Sequence, residues 1–170
     1  MKKVLIAAGA ACALLAVPAL AQAETSWYAN IGYTNVNVDE VDVNLGLIQG
    51  RVGVNLNPYF AVEGEAGFGI ADDTVDIGGT DVDIEMNSQF AAYIVGKYPV
   101  SERFDVYARV GYATYEVEAS AGGGSASDNG SDVAYGLGAQ AFFTDNDGVR
   151  FDWTTYGDAD AWSLSYVRKF

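Results

Sequence analysis

After residue 25 the chain alternates apolar and polar side chains with a period of two, in eight stretches set apart by turn-forming residues. The closing stretch shows it most clearly. Trp162, Leu164, Tyr166 and Phe170 fall on one side, and Ser163, Ser165 and Lys169 on the other. Successive side chains of a strand point to opposite faces, so this reads as a strand with one greasy and one polar face. An aromatic strand left as a free edge invites aggregation. The last strand is therefore expected to pair with the first, Trp27–Tyr33, and close the sheet.

The same alternation places the other strands. The first, at about 26–34, sets Trp27, Ala29, Ile31 and Tyr33 against Tyr28, Asn30, Gly32 and Thr34. The second, about 45–56, sets Ile48, Val52, Val54 and Leu56 against Gln49, Arg51, Gly53 and Asn55. The third (60–70) opposes Phe60, Val62, Phe68 and Ile70 to Ala61, Glu63, Glu65 and Gly67. The fourth (88–98) opposes Phe90, Ile94 and Tyr98 to Gln89, Tyr93 and Lys97, and the fifth (104–116) opposes Val106, Val110 and Tyr112 to Asp105, Tyr107, Arg109 and Gly111. The sixth (132–143) puts Val133, Tyr135, Leu137 and Phe143 against Gly136, Gly138 and Gln140, and the seventh (149–156) puts Phe151 and Trp153 against Arg150 and Asp152.

Three short connections carry turn chemistry: Asn57-Pro58-Tyr59, 99–103 and 144–148. Four longer loops are expected at 35–44, 71–87, 117–131 and 157–160. Short turns at one end, longer loops at the other and an even strand count describe an all-β, eight-stranded antiparallel up-and-down transmembrane β-barrel. Strands of ~9–11 residues tilted by ~45° suffice to cross a bilayer.

The two faces differ in chemistry. Aromatics gather near strand ends on the apolar face (Trp27, Phe60, Tyr98, Phe104, Phe143, Trp153, Phe170), which suits interfacial girdles. The other face carries Arg51, Glu63, Glu65, Lys97, Asp105, Arg109, Arg150, Asp152 and Lys169. A lipocalin-like soluble barrel would turn the greasy face inward. Glycines on the polar face instead suit a narrow interior crowded by long charged chains, because eight strands enclose room for side chains and little more. Five bases and four acids nearly balance, so they are expected to pair as a structural interior network that stands in for a hydrophobic core. An ion-conducting lumen is the functional alternative.

The N-terminus bears on the compartment. Lys2 and Lys3 precede an apolar run to Leu20, and Ala21-Gln22-Ala23 has the small-x-small form of a signal-peptidase site. Residues 1–23 read as a cleaved signal peptide and 24–170 as the barrel. Cys12 lies inside the removed piece, with Gly9 three positions earlier, which argues against lipidation and leaves the mature chain without cysteine. The remaining seven basic and 23 acidic residues give a net charge of −16, which excludes a nucleic-acid binder.

Candidate chemistry is sparse. The chain has no histidine, which removes Ser-His and His-Asp catalysis, and no cofactor or enzymatic activity is expected. The loops carry more than half of the acids and none of the mature basic residues. Within 71–87 a hairpin turning on Gly78-Gly79 would pair Ile77 with Thr80 and set Asp76 across from Asp81, a like-charge contact. It reads as a solvated, self-repelling loop. The sharper reading is that Asp76, Asp81 and Asp83 hold a divalent cation, Ca²⁺ or Mg²⁺, through oxygen ligands.

Two segments resemble a known family. Asn57-Pro58-Tyr59-Phe60-Ala61-Val62-Glu63-Gly64-Glu65 is similar to the second turn and third strand of OmpA/OmpX-type barrels, the porin-like outer membrane protein β-barrel domain family. Residues 97–112, from Lys97 through Pro99, Arg103 and Arg109 to Tyr112, resemble that family's strand–turn–strand. The resemblance implies a bacterial outer-membrane location, contact with outer-membrane lipid and lipopolysaccharide, and delivery by the barrel-assembly machinery. Trp162, Leu164, Tyr166 and Phe170 keep the spacing of its terminal assembly signal, whereas Arg168 stands where that signal prefers an aromatic. A peptidoglycan-binding domain, present in OmpA itself, is not expected here. The combined expectation is a monomeric structural and interaction barrel with acidic external loops; the alternative is a narrow channel for ions or very small solutes.

Overall fold

The computed structural model describes residues 26–38, 43–71, 73–76, 81–121, 124–157 and 159–170. They form nine strands: β1 (Ser26–Val38), β2 (Val43–Asn57), β3 (Phe60–Ala71), β4 (Asp73–Asp76), β5 (Asp81–Ser101), β6 (Phe104–Ala121), β7 (Gly124–Phe142), β8 (Asp147–Tyr156) and β9 (Ala159–Lys169). β3 and β4 both pair with β5, one above the other, so they serve as one stave and the barrel has eight. All pairings between neighbours are antiparallel.

Closure comes from the last strand. β9 pairs with β1 over eleven positions, with Tyr33 opposite Leu164 and Ile31 opposite Tyr166. The Phe170 amide donates to the Trp27 carbonyl at 2.8 Å, which continues the ladder past the end of β9. Both strands thereby lose the open edge that their aromatics made hazardous.

The short turns satisfy their own backbone. Asn57 Oδ1 accepts from the amides of Tyr59 (2.8 Å) and Phe60 (2.9 Å). Thr144 Oγ1 accepts from those of Asn146 and Asp147. The opposite end departs from the expected loops. Residues 81–87 and 117–121 belong to β5 and β6, 124–131 belong to β7, and β1 runs on to Val38. Their polar composition points to loops, but a strand that leaves the bilayer needs no apolar face, since its backbone is held by ladder hydrogen bonds alone. β4 to β7 therefore stand above the barrel as a four-stranded sheet. Within it Asp76 does face Asp81; Ile77 and Thr80 lie outside the described residues.

Period two decides what faces outward. Ile31, Val52, Phe68, Ile94, Tyr98, Leu137 and Leu164 are all more than half exposed on the outer wall. Trp162 sits 5.8 Å from Tyr33, ring to ring, and Phe90 meets Phe68 edge-on at 6.4 Å. The interior is layered. Charged and hydroxyl groups fill its middle, and an apolar layer of Val36, Leu45, Leu47, Met86 and Ala161 lies toward the long-strand end.

Four tyrosines lie over glycines directly across a strand pair: Tyr28 over Gly53, Tyr93 over Gly111, Tyr107 over Gly138 and Tyr115 over Gly130. Each glycine leaves room for a ring that would otherwise not fit in so narrow a lumen. A Cβ at Gly53 would lie 2.6 Å from Tyr28 Cε1. Gly53→Val is expected to displace Tyr28 and cost about 1–3 kcal/mol in urea unfolding in detergent. Gly64→Ala, on the outer wall with nothing within 4 Å, is the control and should leave the midpoint nearly unchanged.

Candidate functional site: the lumen charge cluster

Four staves send charge to one level of the lumen. β2 contributes Arg51, β3 Glu63 and Glu65, β6 Arg109, and β8 Arg150 and Asp152. All six side chains are between 0 and 5 % exposed. A charge so far from water is tolerable only when paired and hydrogen-bonded, and here three guanidinium groups meet three carboxylates.

The pairing is shared rather than one-to-one. Arg51 bonds Glu65 through Nε and Asp152 through Nη1 (2.6 Å), and donates from Nη2 to Ser163 Oγ (3.2 Å). Arg150 grips both oxygens of Glu63, the Nη2–Oε2 bond being 3.0 Å, and reaches Asp152 Oδ1 at 3.1 Å. Arg109 donates to Glu65 (3.2 Å) and Thr154 (2.5 Å) and lies 3.9 Å from both Glu63 and Asp152. Two guanidinium groups also stack on tyrosine, Arg109 on Tyr93 at 4.4 Å and Arg150 on Tyr107 at 4.2 Å. The remaining carboxylate lone pairs accept from neutral donors: Tyr28 to Glu63 at 2.6 Å, Gln89 to Glu65 at 3.0 Å, and Ser163 to Asp152 at 3.1 Å. Tyr107 also donates to Asp152.

Lys97, Asp105 and Lys169 share the inner face but not the cluster. They are half-buried nearer the short-turn end. Lys97 donates to Asn55 and lies 5.6 Å from the Tyr28 ring centre, Lys169 sits over Phe142, and Asp105 accepts from Gln140 at 2.8 Å. None of the three has a salt bridge within 4.0 Å among the described residues. Asp76, Asp81 and Asp83 stand in β4 and β5, with side chains outside those described. Among the described residues no group of three acids, cysteines or histidines is placed to hold a metal ion.

The cluster also has a neutral half, which charge alone does not mark. Tyr28, Tyr93, Tyr107, Gln89, Thr154, Tyr156 and Ser163 share its face of the sheet and its bonds. Their signal was the strand phase they share with Arg51, Glu63 and Arg109, once uncharged residues in that phase are counted.

The family model for the outer membrane protein beta-barrel domain matches residues 7–170. The chain belongs to that family. No curated protein sequence matches it. Among solved structures it is similar to OprG of Pseudomonas aeruginosa (TM-score 0.65, 10 % identity, 88 % of this chain and 97 % of that one). It is also similar to the N-terminal β-barrel domain of Pseudomonas aeruginosa OprF (0.60, 12 %, 87 % and 98 %). A third likeness is to Ail, the attachment invasion locus protein of Yersinia pestis, solved in complex with the heparin analogue sucrose octasulfate (0.58, 19 %, 86 % and 97 %). At these identities the likeness is one of fold. Family and neighbours together point to the bacterial outer membrane.

In this family's barrel the short turns face the periplasm and the long hairpins the outside. The closing strand then brings Trp162, Leu164, Tyr166 and Phe170 to the lipid-facing wall, with Phe170 at the periplasmic rim. Arg168, on the same wall, reaches the first residue of β8. Its Nη1 lies 3.0 Å from Asp147 Oδ1, which also accepts from the Tyr166 hydroxyl. The hydrogen bond from Tyr166, then those from Thr144 and the Arg168 charge, hold the Asp147 carboxyl below the usual aspartate range.

Arg109→Ala strips a buried charge from Glu65 and should cost about 3–5 kcal/mol in urea unfolding in detergent, since carboxylates are left short of a partner. Unchanged stability would remove the cluster as a structural element. At the rim, a carboxyl with a lowered folded pKa adds stability above the unfolded value near 4, and that contribution is lost as pH falls through the folded value. Asp147→Asn should therefore flatten the acid limb of a stability–pH profile while leaving its sensitivity above about pH 6 unaltered.

Proposed function

We propose that this is a structural and interaction barrel of the outer membrane, with a closed lumen and an acidic sheet presented outside the cell. The observation that carries the reading is the cluster of Arg51, Arg109 and Arg150 with Glu63, Glu65 and Asp152. It ties β2, β3, β6 and β8 across the lumen with no side chain more than 5 % exposed. A permeant ion would have to break charge-assisted bonds among side chains that are no more than 5 % exposed. The apolar layer of Val36, Leu45, Leu47 and Met86 lies between this cluster and the outside, and a dry constriction of that kind opposes ion passage by itself.

The interaction half of the reading rests on the projecting sheet. β5 and β6 put Glu85 opposite Glu118, and β7 adds Asp128 and Asp132. The mature chain has no basic residue between Arg109 and Arg150, nor between Arg51 and Lys97. Ail is bound to a sulfated sugar in its structure; here an anion of that kind would meet like charge. Lipopolysaccharide contact accordingly falls to the apolar and aromatic band of the wall, and the sheet suits a partner with basic residues. Beyond Val133 toward its start, β7 pairs with β6 while its other side is unmatched by β8, whose pairing begins at Ala134. An open edge supports binding of an extended segment.

Planar-bilayer recording of the refolded, purified protein tests the closed lumen. No resolved conductance steps are expected; steady openings would favour the narrow-channel alternative and overturn this reading.

A further inference from the structure

The charge cluster spans the lumen between β2, β3, β6 and β8. Beside it, β1, β2 and β9 carry a patch of neutral polar groups whose bonding is incomplete, bordered by Arg51, which lies opposite Asn30 and is already paired with Glu65 and Asp152. Gly32 pairs with Gln49 on β2 and with Ser165 on β9. Asn30 and Thr34 flank it two residues away on the same inward face. The four side chains form a cross with a glycine at its centre, and they are 2–6 % exposed. Asn30 Nδ2, Thr34 Oγ1, Gln49 Nε2 and Ser165 Oγ are all buried without a hydrogen-bond partner among the described residues.

Such a concentration is unusual, because buried polar atoms in folded proteins nearly always find a partner, protein or water. Gly32 contributes no side chain that could supply one. A Cβ there would lie 2.5 Å from Ser165 Cβ, so the position must stay bare to let β9 approach. The cross is also shut in. Val36, Leu47 and Ala161 cover it toward the outside, and Tyr28 and Val167 cover it toward the periplasm, each at 5 % exposure or less.

We propose that this cross around Gly32 is a built site for internal water, held by the Asn30 and Gln49 amides and the Thr34 and Ser165 hydroxyls. The ligand class follows from the groups themselves. Two amide nitrogens only donate, whereas two hydroxyls both donate and accept, and water answers both needs. An anion would suit the amides, but the three arginines of the lumen are already matched by three carboxylates, so its charge would be buried without compensation. A cation finds two donor-only groups where it needs oxygen ligands. The inference is independent of whether the barrel conducts, since the site is enclosed at both ends.

Two measurements test it. A crystal structure of the unmodified protein, at a resolution that orders solvent, should show density within hydrogen-bonding distance of at least two of the four atoms, with the coordination of water. A dry cross, or density with the anomalous signal of an ion, overturns the assignment. The second measurement reads a sign. If water completes these groups, Thr34→Val strands a bound water and should raise the unfolding equilibrium constant in urea about fivefold. If the hydroxyl is buried dry, its removal relieves a penalty and the constant falls, which refutes the proposal.

Discussion

Everything inside this barrel depends on the mutual neutralisation of Arg51, Arg109 and Arg150 by Glu63, Glu65 and Asp152. A membrane barrel puts most of its large apolar side chains on the outside, so the apolar layer of the lumen cannot by itself hold the staves in register. Shared ion pairs take that place. They join residues far apart in the chain, Arg51 to Asp152 and Arg150 to Glu63, and so fix the far side of the barrel as well as adjacent strands. Bidentate guanidinium contacts have directional demands that an apolar core lacks. Register is therefore specified by chemistry in the lumen as well as by the alternation of the wall.

The neutral groups around the cluster matter for the same reason. A carboxylate offers more lone pairs than one arginine can fill, and an unfilled one is costly where water is scarce. Tyr28, Tyr107, Gln89 and Ser163 fill them. The tyrosines fit because glycines face them across the strand, so the small residues of the inner face are the counterpart of its large ones. Glycine content that looks permissive in the sequence is thus a packing requirement set by ring volume in a lumen eight strands wide.

The molecule is divided along its axis. At the periplasmic end, short turns close on their own Asn and Thr side chains and the rim pairs Arg168 with Asp147. The middle is charged but neutral in sum. Above it the lumen becomes apolar, and beyond the membrane four strands continue as an acidic sheet. On the proposed reading of a closed lumen, the working surface lies outside, in keeping with a role in the envelope that does not depend on passage through the barrel.

The architecture is legible in the chain alone. Period-two alternation, Pro and Gly turns and an aromatic last strand are local signals, and each of them survives because a strand's two faces see different solvents whatever its neighbours are. The chain also determines which charged residues face inward, since phase alone decides that. Three features needed the tertiary structure. The long hairpins read as loops because their polar residues carry no lipid-facing pattern, although ladder hydrogen bonds hold β5, β6 and β7 as strands. Leu45 and Leu47 are in phase with Gln49 and Arg51, yet they build an apolar layer; composition cannot tell an inward leucine from an outward one. Finally, which guanidinium meets which carboxylate, and that Lys97, Asp105 and Lys169 stand apart, depend on how far each stave is staggered around the barrel. That stagger is a property of the closed sheet, and no single strand encodes it.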